Sequence, residues 1–165
     1  MSRFVTISVV LWALGAAAVQ ADARRDCFEK SGDAAIRACS AAIQRDPKDP
    51  VSYVNRAFEY VQKGEHAQSI ADYSKALELD AGRFDAYQGR AWAYLKSGKA
   101  DQGLADAQRA LQIKPNDAQA LDTRGHIYEA LGRREDAIAD FRRALSIEPR
   151  LQGSREGLRR LGGKP

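Results

Sequence analysis

Histidine, cysteine and methionine are scarce in this chain, and their scarcity argues against several classes of chemistry. Its 165 residues include two histidines, two cysteines and one methionine. Neither histidine, His66 or His126, has a serine or cysteine nucleophile arranged with it, and no acidic cluster has metal-ligand spacing. The glycines recur at fixed intervals, and no G-x-x-x-x-G-K-[ST] phosphate loop occurs. The sequence therefore predicts no catalytic residues, no metal and no cofactor, and a protein that is not an enzyme.

A strong excess of charge of one sign is also missing. The chain has 26 Lys and Arg against 22 Asp and Glu, a formal net charge of +4. Charges of both signs are interspersed through the middle of the chain, which is typical of solvated helix surfaces and predicts no nucleic-acid partner. Basic residues clearly outnumber acids only from Arg133 onward. Two interpretations of this end stay open: weak contact with an anionic surface, and a soluble tail.

Long apolar runs are absent except at the start of the chain. Arg3 precedes a run from Phe4 to Ala18, and the small residues of "VQA" follow it. About fifteen apolar residues fall short of the roughly twenty that a membrane-spanning helix needs. The pattern is typical of a signal peptide with cleavage before Asp22. We therefore predict export, to the periplasm or out of the cell, and no stable membrane span after cleavage.

The two cysteines, Cys27 and Cys39, lie close together in the predicted exported chain. An even pair in an oxidising compartment commonly forms a disulfide. The turn residues Ser31 to Asp33 lie between them, so the pair would join the two legs of a helical hairpin. The alternatives are a metal pair and a redox pair, but the separation matches neither a Cys-x-x-Cys motif nor a spacing with a nearby histidine.

Most of the remaining sequence repeats with a period of 34 residues. Four kinds of residue recur at this interval, namely Gly64, Gly98 and Gly132; Tyr60, Tyr94 and Tyr128; Ala76, Ala110 and Ala144; and Leu77, Leu111 and Leu145. A fixed period of this size indicates a stack of repeated structural units.

Each unit reads as two amphipathic helices joined at the recurring glycine. In the first unit, Tyr53, Ala57 and Tyr60 have the spacing of one helix face, and a second stripe follows the glycine. A glycine can close the first helix in the left-handed conformation, and a proline such as Pro115 stops the second. Small residues are expected where the paired helices approach closely, at Ala57, Ala91, Gly125, Ser69, Gly103 and Ala137.

This pattern resembles the tetratricopeptide repeat family. The resemblance is carried by Tyr53, Ala57, Tyr60, Gly64, Tyr73 and Ala76, then by Tyr87, Ala91, Tyr94, Gly98, Ala110 and Pro115, and then by Gly125, Tyr128, Gly132, Ala137, Phe141, Ala144 and Pro149. Departures from the family pattern are Ala81 for the closing proline, Ala107 for an aromatic residue, and Arg56, Arg90 and Arg124 for leucine. The resemblance implies an all-α fold: a right-handed superhelical stack of antiparallel helix pairs.

The register divides the chain into about three and a half units and a capping helix. Upstream, Ala35, Cys39, Ala42 and Pro47 match the second helix of a further unit, and Leu151, Leu158 and Leu161 mark an apolar capping face downstream. The predicted segments are a signal peptide at 1–21, a degenerate hairpin or partial repeat at 22–49, repeat units at 50–83, 84–117 and 118–151, and a capping helix with a basic tail at 152–165.

An arginine and an aspartate recur together once in every unit. The aspartate follows the arginine by sixteen positions, in the pairs Arg56 and Asp72, Arg90 and Asp106, and Arg124 and Asp140. A pair copied in each repeat is more typical of a structural ion-pair ladder between packed helices than of a catalytic site.

The candidate binding site is the concave face, which first helices line in proteins that resemble this family. Counting turns along the first helices gives Val54, Phe58, Val61, Gln88, Trp92, Leu95, Asp122, His126 and Glu129. Exposed aromatic residues on a rigid surface can anchor an extended or helical peptide. The alternative is that Val54 and Phe58 pack against the upstream half-unit. The basic Lys and Asn set with which some relatives hold a terminal carboxylate is absent.

These observations favour a scaffold that binds a protein or peptide partner through its concave face, with an adapter or assembly role in the cell envelope. The alternative is a scaffold that contacts cell-wall polymer or anionic membrane through its basic C-terminal end.

Overall fold

The computed structural model describes residues 24–163, and this part of the chain is helical throughout, without a strand. The helices are α1 (24–29), α2 (Gly32–Arg45), α3 (Pro50–Gln62), α4 (His66–Leu79), α5 (Phe84–Lys96), α6 (Ala100–Ile113), α7 (Ala118–Ala130), α8 (Arg134–Ile147) and α9 (Gln152–Arg160). The predicted stack of antiparallel helix pairs is confirmed. The predicted signal peptide and its cleavage point before Asp22 lie outside the described residues.

Each helix pair is closed by the recurring glycine. Gly64 has a φ of 75°, and the equivalent glycines of the next two units have φ values of 74° and 72°. The amide of Glu65 donates to the carbonyl of Tyr60 at 2.8 Å, and the amide of Gly64 donates to Val61 at 3.0 Å. These two bonds satisfy carbonyls that the helix end leaves open, and left-handed backbone of this kind favours glycine. The second helix of each unit can therefore turn back against the first.

The second helices end in the same register with or without the closing proline. Helix α4 ends at Leu79 although Ala81 replaces the family proline. Here the carboxylate of Asp80 accepts from the amide of Gly82 at 3.0 Å and forms a local turn. Aspartate closes such turns through its own side chain, so proline is not required at this position.

Small residues allow the paired helices to approach closely. Ala57, Ala91 and Ala137 have no exposed surface. A Cβ atom added to Gly103 would lie 2.9 Å from the carbonyl oxygen of Ala91, on the neighbouring helix. Close packing at this level leaves little room for larger side chains, because protein interiors are packed as densely as organic crystals.

The two cysteines are bonded, as predicted, and hold α1 against α2. Cys27 and Cys39 have their Cα atoms 4.6 Å apart and are almost fully buried. Cys39 lies 34 residues before Tyr73, at the position where Tyr73 and Phe141 place a core ring in later units. The disulfide thus fills the core of a hairpin that is too short to fill it with large side chains.

The arginines and aspartates of the repeat meet across each helix pair. Arg56 donates to both carboxylate oxygens of Asp72 at 2.7 and 2.8 Å, and the pairs Arg90–Asp106 and Arg124–Asp140 have the same two-bond geometry. Arg56 also donates to the hydroxyl of Ser40, and Arg90 to that of Ser74, at 2.9 Å each. The hydrogen bonds to the aspartates raise the pKa of each arginine above its usual value. The contacts with Ser40 and Ser74 reach the preceding unit, so Arg56 and Arg90 also join one unit to the next.

Helix α9 covers the last face of the stack. Leu158 is 1% exposed and packs with Phe141 and Tyr128. The helix closes like the repeats, with Gly162 at a φ of 66° and the amide of Gly163 donating to the carbonyl of Leu158 at 2.8 Å. A stack of repeats leaves the apolar face of its last unit exposed, and here the short helix α9 covers that face.

Candidate functional site: the concave groove

A groove of about 390 Å³ opens between α3, α5 and α7, and we call it the concave groove. Its lining consists of Val54, Asn55, Phe58, Val61, Gln62, Tyr73, Asp85, Gln88, Gly89, Trp92, Gln119, Asp122 and Thr123. Six of the nine candidate residues from the sequence are in this lining, namely Val54, Phe58, Val61, Gln88, Trp92 and Asp122. Side chains from three successive first helices thus meet at one surface.

The walls of the concave groove are aromatic. Phe58 is 53% exposed, whereas Val54 is buried in a core cluster with Ile43. The expectation that both residues pack against the upstream half-unit therefore applies to Val54 and not to Phe58. Trp92, on the next first helix, is partly buried and lines the same groove. An exposed phenylalanine beside a tryptophan offers apolar surface to a ligand at little cost in side-chain entropy.

The floor of the concave groove is formed by a tyrosine from a second helix. The ring of Tyr73, from α4, lies against the backbone of Gly89; a Cβ atom on Gly89 would stand 2.7 Å from Cε1 and closer still to the hydroxyl oxygen. Tyr73 is 3% exposed, and its hydroxyl has no hydrogen-bond partner within residues 24–163. Burial raises the pKa of this hydroxyl, so it carries its proton at neutral pH.

Tyr73 was not among the candidates from the sequence, because they were counted along first helices only. The signal that could have found it is its pairing with Gly89. The equivalent residues of the next two units are Ala107 and Phe141, neither of which carries a hydroxyl, and the missing Cβ at Gly89 lets the ring of Tyr73 reach the concave surface.

Three candidates, Leu95, His126 and Glu129, do not belong to the lining of the concave groove. Leu95 packs at the edge of a core cluster around Ala91 and Ile127. Glu129 accepts two bonds from Arg160 of α9, at 2.8 and 2.7 Å, and this contact lowers the pKa of Glu129. His126 lies next to Glu129 and Arg160, with its Nδ1 3.3 Å from the carboxylate of Glu129. Contacts with α9 thus occupy Glu129 and His126, because α9 folds back over the third unit, whereas core packing occupies Leu95.

The charged residues of the groove lining are both aspartates. The side chain of Asp85 is 47% exposed and pairs with Arg83, whose Nε lies 3.0 Å away. Asp122 is 8% exposed and accepts from the hydroxyl of Ser154 at 2.6 Å. No lysine or arginine belongs to the lining among the described residues. The groove therefore combines aromatic walls with carboxylates.

A second groove, at the C-terminal end, has the opposite charge. It has a volume of about 1130 Å³, and its charged lining residues are Arg142, Arg150, Arg155, Arg159 and Glu156. Because four guanidinium groups meet one carboxylate, this C-terminal basic groove has a positive potential that suits anionic groups.

Metal-ligand clusters and membrane spans are both absent from the described residues. Between residues 24 and 163, no three or more His, Cys, Asp and Glu side chains are grouped so as to hold a metal ion. In the same range no helix has the length and apolar character needed to cross a membrane.

Known sequence families match the repeated region. The pattern described as tetratricopeptide repeat matches residues 84–117 and 118–151, and the pattern described as TPR repeat matches residues 59–98. Hsp70-Hsp90 organizing protein 2 of Arabidopsis thaliana is 44% identical over 46 residues, which are 28% of this chain and 8% of that protein. The chain thus spans less than a tenth of the length of this relative.

Solved structures share the fold. The Arabidopsis OM64 TPR domain is 26% identical with a TM-score of 0.65, covering 68% of this chain and 93% of that domain. The second TPR domain of human RPAP3, solved with the HSP70 peptide SGPTIEEVD, is 24% identical with a TM-score of 0.65 and covers 70% and 96%. MamA from Desulfovibrio magneticus RS-1 is 18% identical with a TM-score of 0.78 and covers 88% and 83%. The last two likenesses show the fold alone.

Proposed function

Residues 59–151 of this chain are tetratricopeptide repeats, and from that premise we propose that the protein is a non-enzymatic scaffold that binds a peptide segment of a partner protein in its concave groove. The observation that carries the proposal is the exposure of Phe58, at 53%, beside Trp92 in a groove built on rigid helices. A concave surface lined mainly by apolar and aromatic side chains, with a few polar groups, is typical of a binding site. The RPAP3 domain solved with a bound peptide is consistent with this use of the fold.

We further propose that the scaffold works in the cell envelope as an adapter or assembly factor. The apolar run from Phe4 to Ala18 and the disulfide between Cys27 and Cys39 support export to the periplasm, since disulfides persist in oxidising compartments. Expression of the full chain in a Gram-negative host tests this step. The periplasmic fraction should contain a protein whose first residue is Asp22; a protein that stays in the cytoplasm with its first residues intact would contradict export.

Site-specific photo-crosslinking tests the binding site. A benzoylphenylalanine at position 58 should crosslink to a partner in the compartment, whereas the same residue at position 28 should not. Phe28 is the matched control, because it is 54% exposed and lies outside the concave groove. The double variant Phe58→Ala, Trp92→Ala should lose the partner, and Phe28→Ala should keep it. Equal crosslinking at both positions would mean that the groove is not the binding site.

A second candidate function is favoured by the C-terminal basic groove. Four arginines around one open cavity would attract cell-wall polymer or an anionic membrane surface. Salt separates the two functions, since attraction between exposed charges is screened at raised ionic strength. Binding of vesicles with anionic lipid should then fall steeply with salt and depend on Arg155 and Arg159. Binding through aromatic walls should instead persist in salt and depend on Phe58.

A further inference from the structure

We propose that the concave groove selects a partner segment carrying a lysine or arginine side chain, whose cationic group is received by the carboxylates of Asp85 and Asp122 above the hydroxyl of Tyr73. The inference rests on the proposed peptide-binding function and names the chemistry of the partner.

Asp122 is a buried aspartate that no lysine or arginine side chain hydrogen-bonds among the described residues. Four aspartates are buried in the described part of the chain, each at most 8% exposed, namely Asp72, Asp106, Asp122 and Asp140. Three of them form two-bond pairs with an arginine of the ladder. Asp122 instead has the hydroxyl of Ser154 at 2.6 Å and Nε2 of His126 at 3.6 Å. A buried carboxylate is stabilised by a cation, and Asp122, whose oxygens lie against Gly153 and Ser154 of α9, also contributes to the lining of the groove.

The charged side chains that line the concave groove are acidic. Asp85, with a half-exposed side chain, adds a second carboxylate to the lining, and the described lining has no lysine or arginine. Arg83 donates to both carboxylate oxygens of Asp85, and Arg160 donates to Glu129 and interacts with Asp122 only through its charge, without a hydrogen bond to it. Within a concave site the effective dielectric is lower than in water, so these carboxylates attract a cation and repel an acidic side chain.

The hydroxyl of Tyr73 is a polar group in the lining of the groove that packing does not require. Phe141 occupies the equivalent core position two units later and packs against a glycine without any hydroxyl. The hydroxyl of Tyr73 is therefore not needed for packing. It lies in the floor of the groove without a hydrogen-bond partner in residues 24–163, where it can accept from an ammonium or guanidinium group.

The aromatic walls suit the rest of such a side chain. Lysine and arginine have apolar stems that pack on apolar surface while the head group reaches polar atoms. The ring of Trp92 already accepts a cation, since Nζ of Lys96 lies 4.6 Å from its centroid. Phe58 offers a second, exposed ring in the same groove.

A positional-scanning library of random octapeptides, blocked at both ends so that no terminal charge contributes, tests the preference on the full chain. Pools with a fixed lysine or arginine should bind at least about tenfold more strongly than pools with a fixed aspartate or glutamate. Asp122→Asn and Asp85→Asn should each reduce this preference by about tenfold. Asp101→Asn is the matched control, because Asp101 is exposed and lies outside the groove. It should leave the preference unchanged.

The outcomes separate the two proposals. If neutral pools bind as well as basic ones and their binding is lost in Phe58→Ala, the groove binds peptides and the cation preference is wrong. If pools with a fixed aspartate or glutamate bind more strongly than pools with a fixed lysine or arginine, the groove prefers acidic segments and the inference is wrong. If no pool binds in a way that depends on Phe58, peptide binding in the groove fails as well.

A fluorescence titration with single peptides tests the role of the Tyr73 hydroxyl. In a Trp12→Phe background Trp92 is the single tryptophan, so its fluorescence reports on the groove. The best lysine peptide should shift this emission, and replacing its lysine by glutamine should weaken binding about tenfold. Tyr73→Phe should weaken the lysine peptide and leave the glutamine peptide unchanged. Equal affinities of both peptides in wild type would overturn the inference.

Discussion

The ring of Phe141 lies directly against the backbone of Gly157, so that a Cβ atom on this glycine would stand 2.5 Å from Cζ of the ring. Tyr73 and Gly89 have the same relationship, also sixteen residues apart. Between these two pairs the unit with Ala107 in the ring position has Thr123 opposite it. A large ring is therefore paired with a glycine on the following helix, and the small Ala107 is paired with a threonine.

The unit without a ring is filled from the following helix. Ile127 of α7 is fully buried and clusters with Ala91, Ala100 and Ala107. The departure of Ala107 from the family pattern thus leaves no missing core, because a side chain from the next unit takes the space that an aromatic ring fills elsewhere.

The glycine beside each ring gives a prediction of definite sign. In a helix interior, alanine is favoured over glycine by about 1 kcal/mol, so helix propensity alone predicts that Gly89→Ala stabilises the protein. The overlap with Tyr73 predicts the opposite, a loss of about 1 to 3 kcal/mol by overpacking. Urea unfolding of Gly89→Ala decides between them.

A double variant serves as the control for this prediction. Tyr73→Ala removes the ring, so Gly89→Ala should cost nothing or stabilise when it is added to Tyr73→Ala. If Gly89→Ala also destabilises in the absence of the ring, the cost arises from something other than the contact.

The arginine ladder should contribute far more to stability than surface ion pairs. The side chains of Arg90 and Asp106 are 20% and 9% exposed, and Arg90 also binds Ser74. Arg90→Met leaves Asp106 buried without its cation, for an expected loss of about 3 kcal/mol in the free energy of unfolding. The control is Arg133→Met: Arg133 and Asp136 are about half exposed, and their pair should contribute less than about 1 kcal/mol. Similar losses in both variants would mean that the ladder is solvated.

The repeat made most of the fold predictable, because each structural feature was copied several times. The glycine turns and the arginine and aspartate spacing all recur at 34 residues, and Ser40 and Ser74, which share this spacing, could have been read the same way. Contacts that occur once carry no periodic signal. The pair of Arg160 with Glu129 is one such contact: the leucines of the last segment predict a capping helix, but nothing periodic predicts this ion pair.

The sequence also could not separate the groove from the core along one helix face. Leu95 and Trp92 lie less than one turn apart on α5, yet Leu95 packs in the core and Trp92 lines the groove. Leu95 packs against a cluster that includes Ile127 of α7, and the pattern of α5 alone does not show where α7 lies.

Docking of α9 should weaken in acid. Arg160 holds the pKa of Glu129 below its ordinary value of 4.5. A carboxyl group with a lowered pKa in the folded state contributes stability that is present above pH 4.5 and is lost as the pH falls through its folded value. The hydrogen-exchange protection factors of the α9 amides, which correct for the pH dependence of the intrinsic exchange rate, should therefore fall as the pH drops below 4.5. Glu129→Gln should remove much of this pH dependence, and identical pH profiles in wild type and variant would contradict the assignment.

The disulfide should stabilise one end of the stack rather than the whole. Cys27 and Cys39 close a short loop, and the loss of such a bond costs on the order of 3 kcal/mol. Because each helix pair contacts only its neighbours, stability in a stack is distributed locally. Cys27→Ser with Cys39→Ser should therefore expose the amides of α1 and α2 to rapid hydrogen exchange and leave those of α7 and α8 protected. Uniform loss of protection along the chain would show instead that the stack unfolds as one unit. In that case the stability of the groove that presents Phe58 would itself depend on the disulfide.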